Sequence, residues 1–164
     1  MRWLTRALLL LLVAGFAACS SFRREWDQVN SKVASSSPAD RFSGAWEGRW
    51  QSASHRGPSG RPMGGRLRCV FTAEAENRYR AHFNARWLVF SSSYVAQFTT
   101  ERRGRELHFR GAQDLGVLFG GVYRYAGRVT STRFISSYDS RYDRGTFDMQ
   151  RIPKAKPSRE HSRD

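Results

Sequence analysis

Residues 78–89 read RYRAHFNARWLV, and side-chain character alternates at every step. Tyr79, Ala81, Phe83, Ala85, Trp87 and Val89 form one set, and Arg78, Arg80, His82, Asn84 and Arg86 the other. Successive side chains of an extended chain point to opposite faces, so this period of two predicts a β-strand with one dry and one wet face. A helix would scatter the same residues around its whole circumference.

The alternation recurs on both sides of this stretch. Phe42–Trp50 (FSGAWEGRW) places Phe42, Gly44, Trp46, Gly48 and Trp50 together, and Arg66–Thr72 sets Leu67, Cys69 and Phe71 against Arg66 and Arg68. Tyr94, Ala96 and Phe98 follow, then Leu107, Phe109 and Gly111, then Tyr123, Tyr125, Gly127 and Val129 within Gly121–Val129. Phe134, Ser136 and Tyr138, and finally Phe147, Met149 and Arg151, complete eight strands. Glu76-Asn77, Arg103-Gly104 and Asp143-Arg144-Gly145 separate them and suit tight turns. No helical period occurs between residues 42 and 152, so the expected domain is all-β, an antiparallel meander of about eight strands. Closing the meander into a small barrel buries one face and removes the edges. A two-sheet β-sandwich buries it equally well.

Gly44-Ala45-Trp46 on the first strand and Arg151 on the last resemble the calycin pattern of lipocalins and related barrels. The resemblance implies that the Trp46 indole packs at a closed barrel end with the Arg151 guanidinium across it, a cation–π contact in a partly dry site. It also implies that the first connection, Gln51–Gly65, lies over a ligand mouth. Trp50, Phe71, Phe83, Trp87, Phe98, Tyr123 and Tyr125 are then the candidate interior residues for an apolar or amphipathic small ligand.

The first 18 residues, MRWLTRALLLLLVAGFAA, are of another kind. Arg2 and Arg6 precede an apolar stretch of a dozen residues, the layout of an export signal. That stretch is shorter than the roughly 20 residues a membrane span needs. Phe16-Ala17-Ala18-Cys19 resembles the lipobox of bacterial lipoproteins, with Phe16 where that family usually has Leu. The resemblance implies lipidation of Cys19, cleavage just before it and, with Ser20 rather than Asp next, an outer-membrane address in the cell envelope. An ordinary signal peptide with an incidental cysteine is the alternative. Residues 19–41 are expected to be a tether. Phe22, Trp26, Val29 and Val33 give it an apolar stripe, so a short helix on the membrane or at the barrel's open end competes with a partly ordered linker. Residues 153–164 lack large apolar side chains and are expected to be a disordered basic tail.

The chain of 164 residues carries 28 basic and 14 acidic side chains, net +14. Two of the arginines lie in the leader, which leaves +12 on the remainder. Such charge favours polyanions. For an exported chain this means an anionic envelope lipid or polysaccharide rather than nucleic acid, with Arg66/Arg68 and Arg78/Arg80/Arg86 as the docking faces. Catalytic chemistry is not indicated. His55, His82, His108 and His161 have no partner at metal-ligand spacing, and His82 and His108 are expected to be solvated. Asp139 and Asp143 suit a hairpin better than a calcium loop, and Cys69 falls on an apolar face as an inert thiol. No metal and no cofactor is expected, and an enzyme is the least supported class.

Overall fold

The computed structural model describes residues 21–30, 40–57, 59–117 and 120–153. Eight strands follow in chain order: β1 (Gly44–Arg56), β2 (Pro62–Ala75), β3 (Arg78–Trp87), β4 (Phe90–Arg103), β5 (Glu106–Asp114), β6 (Val122–Val129), β7 (Arg133–Asp139) and β8 (Arg144–Arg151). Each pairs antiparallel with the next, and β8 returns to β1 from Trp46↔Arg151 to Ser52↔Gly145, which closes the barrel. Closure excludes the sandwich.

The expected inward set is the core. Trp46, Leu67, Cys69, Phe71, Phe83, Phe98, Phe109, Phe134 and Met149 are almost wholly buried. Rings meet throughout, as Phe71 does with Tyr79 at 4.7 Å and Phe134 at 5.5 Å. Glycine makes room for this many rings. A Cβ on Gly111 would come within 2.7 Å of Phe98 Cδ1, and one on Gly127 within 2.7 Å of Phe109 Cζ.

Two local expectations are corrected. The third strand ends at Trp87 rather than Val89, because Leu88 and Val89 form the β3–β4 turn with Leu88 at φ +51°. An unbroken apolar run hides a turn that carries no Gly or Asn. The connection Gln51–Gly65 is also mostly strand, and only residues 57–61 separate β1 from β2. Ser, Gly and Arg weaken an apolar pattern, but their backbones still form a ladder, with Trp50↔Gly65 and Gln51↔Gly64 in register.

Residues 21–30 are helical (α1) and lie on the barrel wall rather than at an end. Phe22 is buried and meets the His82 ring edge-on at 5.1 Å, while Trp26 receives the Arg68 guanidinium at 4.9 Å. Ala45 and Val70, on the outward sets of β1 and β2, are buried too. His82 is accordingly not solvated; it is 6% exposed, contrary to the expectation for an outward strand residue. The leader, Cys19, Val33 and the tail beyond Pro153 lie outside the described residues.

Candidate functional site

The meander places its connections alternately, so the barrel has two distinct ends. One gathers the start of β1, the β2–β3, β4–β5 and β6–β7 turns, and the end of β8. There Phe42 and Trp46 are fully buried, and the Arg151 guanidinium lies over the Trp46 ring at 5.2 Å. Arg151 donates to the Arg41 carbonyl at 2.5 Å and to the Ser43 carbonyl. Gly44 allows this approach. A Cβ there would lie 2.8 Å from Arg151 Nη2, and its φ of +154° is one that side chains rarely adopt. Asp40 adds a lid, accepting from the Ser43 hydroxyl and from Tyr79 at 2.8 Å. This end is stoppered.

The opposite end gathers residues 57 and 59–61, the Leu88-Val89 turn, residues 115–117 and 120–121, and the turn 140–143. Alternation continues inward there with Trp50, Ala85, Trp87, Phe90, Tyr94 and Tyr123, of which Trp50, Ala85, Tyr94 and Tyr123 are partly buried and pack against the core. Trp87 and Phe90 are register partners with rings 6.2 Å apart. Below them Tyr123, Tyr125 and Tyr138 form a run of ring contacts at 5.9 to 6.3 Å. Burial pushes the Tyr94, Tyr125 and Tyr138 hydroxyls well above the usual phenol range, so they are neutral donors at ordinary pH. Tyr138 spends its proton on Asp143 at 2.8 Å, a bond that raises it further. Tyr125 Oη is buried with the Tyr94 hydroxyl close by, yet no hydrogen bond of normal geometry reaches it.

The structure divides the seven candidate interior residues. Phe71, Phe83 and Phe98 are core packing, each 0–1% exposed and ringed by aromatics. Trp50, Trp87 and Tyr123 stand at the mouth, and Tyr125 lies between the two groups. Tyr94, Phe90 and Tyr138 belong to the same mouth, and the strand alternation already placed Tyr94 and Tyr138 on the inward face.

Other clusters are structural. Ser52, His55 and Asp143 converge, but Ser52 Oγ donates directly to Asp143 at 2.6 Å, and His55 Nδ1 lies 3.3 Å from that same carboxylate oxygen. A hydrolytic triad needs the imidazole between hydroxyl and carboxylate, one ring nitrogen for each. Here Ser52 Oγ is also occupied by the Ser54 and His55 amides, at 3.1 and 2.8 Å, and ties a bend. His108 pairs with Glu106 at 3.0 Å. Among the described residues no group of three His, Cys, Asp or Glu could hold a metal ion. Cys69 is buried, and burial pushes its thiol up, away from the reactive thiolate.

The basic faces expected on β2 and β3 are partly paired. Glu47 accepts from Arg66 and Arg68 at 2.9 and 3.0 Å, and Glu25 of α1 accepts from Arg80 at 2.5 Å and lies 2.7 Å from His82 Nδ1. Burial raises the Glu25 carboxyl, but the Arg80 and His82 hydrogen bonds and charges outweigh it and hold it below its ordinary value. Arg78 and Arg86 stay exposed.

In comparisons with known proteins, no family model matches the chain, and no curated protein aligns with it significantly. The geometry therefore carries the functional reading.

Proposed function

We propose that this chain is a lipid-anchored protein of the bacterial envelope, held at the outer membrane because Ser20 follows the acylated Cys19, and that its barrel takes an apolar or amphipathic small molecule at the aromatic mouth. The observation that carries the ligand reading is the difference between the ends. One is sealed by Phe42, Trp46 and Arg151, and the other presents partly exposed aromatic rings above a buried Tyr125 hydroxyl that has only the Tyr94 hydroxyl beside it. Apolar walls with a few placed polar groups are the usual make-up of a small-molecule site. Trp50, Trp87, Tyr94 and Tyr123 would hold the apolar body, and Tyr125 would orient a polar atom.

The anchor reading rests on the lipobox resemblance. Docking of α1 gives it a geometric consequence. Only two residues separate Cys19 from the buried Phe22, a reach of at most about 11 Å over three chain steps. A lipid on Cys19 would hold the barrel wall close to the bilayer rather than on a long tether.

The ligand reading is tested by titrating the protein with N-phenyl-1-naphthylamine, a dye that fluoresces in apolar sites. The protein should raise its emission saturably, and Ala85→Trp, which fills the mouth, should abolish the rise. Equal emission from both proteins would count against the mouth as the site.

A further inference from the structure

Large apolar side chains scattered singly over a surface are ordinary. Here they are gathered. Leu88, Val89 and Phe90 on the β3–β4 turn, Val117 and Val122 around the β5–β6 connection, and Tyr142 on the β7–β8 turn are all exposed, Val89 by 82% and Val117 by 86%. Among the described residues only one other large hydrophobic is exposed, Val95 on the wall. The tips at the sealed end are polar throughout: Glu76-Asn77, Gly104-Arg105 and Ser131-Thr132. Leu88 holds the left-handed conformation that Gly or Asn adopts without strain, at a cost of about 1 kcal/mol, and it still points to solvent at 68% exposure. Strain spent on keeping an apolar side chain in water points to a surface used for contact.

The charge around this rim selects the partner. Arg56, Arg61, Arg86, Arg124, Arg141 and Arg144 are exposed at the same end and form no ion pair among the described residues. Only Asp114, Asp139 and Asp143 oppose them, and Asp143 is occupied by Ser52 and Tyr138. A two-fold pairing of copies would set this basic rim against itself. An anionic bilayer instead accepts apolar tips below its headgroups and arginines among its phosphates.

We propose that the rim formed by the Leu88–Phe90, Val117 and Tyr142 tips docks on an anionic lipid bilayer, inserting its apolar side chains and setting its arginines against the headgroups. Phe90, stacked on Trp87, is shared with the mouth, whereas Leu88, Val89, Val117 and Tyr142 lie on the connecting segments outside the barrel interior and would bind with the mouth empty.

The test uses residues 19–164 carrying Cys19→Ser, so that neither the leader nor an acyl anchor contributes, with an environment-sensitive fluorophore on Val89→Cys. Val89 is exposed enough for the change to leave the fold intact, and Cys69 is too buried to label. A second protein carries the label on Ser131→Cys, at the sealed end. With phosphatidylglycerol–phosphatidylethanolamine vesicles, the Val89 label should brighten and be quenched by lipids carrying a spin label in the acyl chain, while the Ser131 label does neither. Arg124→Ala with Arg141→Ala should weaken partitioning about 25-fold, roughly fivefold for each arginine removed. A Val89 label that stays in water with these vesicles overturns the proposal. So does equal insertion of both labels. Burial of the Val89 label without vesicles, with a doubled mass, would show instead that the rim pairs two copies.

Discussion

Replacing Arg151 by Ala should remove the stopper of the sealed end and cost more than most single changes. Its guanidinium lies 5.2 Å from the Trp46 ring centre, and a partly desolvated cation–π contact of this kind contributes about 2 kcal/mol. It also donates to the Arg41 and Ser43 carbonyls, and hydrogen bonds from a charged group contribute about 1.5–3 kcal/mol each before water replaces part of them. The site is partly open, which discounts the sum to about 4 kcal/mol. With an m-value of about 2 kcal/mol/M in urea, the midpoint should fall by about 2 M at unchanged m. Arg151→Lys keeps the charge but loses the fork that reaches both carbonyls, and should lose about half as much. Gly44→Ala should destabilise through the same contact, since its Cβ would lie 2.8 Å from Arg151 Nη2. Urea unfolding followed by tryptophan emission measures all three. An Ala variant within 0.5 M of the parent, on the order of 1 kcal/mol, would show that the stacked arginine does not hold this end closed.

Two further outcomes are expected. Glu25 has its folded pKa held below the ordinary 4.5, so its contribution to docking α1 is full above that value and is lost as pH falls through the depressed one. Protection of the amides of residues 21–30, relative to their intrinsic exchange rates at each pH, should therefore fall in acid while the strands stay protected. Glu25→Gln should mimic this at neutral pH, at a cost of about 2 kcal/mol to docking, and unchanged protection in that variant would remove the ion pair as the latch. Lipidation is checked by the mass of the mature chain from membranes. It should begin at Cys19 and carry acyl chains, and Cys19→Ser should abolish the acyl mass; a mature terminus elsewhere refutes the anchor.

The barrel was legible because each strand repeats the same two-residue period, and one buried face on eight short strands has few ways to close. Gly44, Trp46 and Arg151 were legible as a group only through a resemblance, and the structure brings them into contact. Two things were hidden. Val70 sits on an otherwise arginine-bearing face of β2, a single irregularity that marks where α1 covers the wall, and one apolar residue among charges is too faint a signal to place a helix. The turn at Leu88-Val89 was hidden because turn reading relies on Gly, Asn, Asp and Pro, and this turn uses none of them. Its apolar tip reads as continued strand until the backbone shows the reversal.

The measurement closest to the central claim is native mass spectrometry of residues 19–164 carrying Cys19→Ser, purified from bacteria without detergent. The account predicts a reproducible extra mass that leaves on denaturation, fragments as an apolar or amphipathic small molecule, and is absent from the Ala85→Trp protein. A bare polypeptide mass for the parent, with N-phenyl-1-naphthylamine also failing to bind, would contradict it and leave the barrel as a packed scaffold for its outer surface.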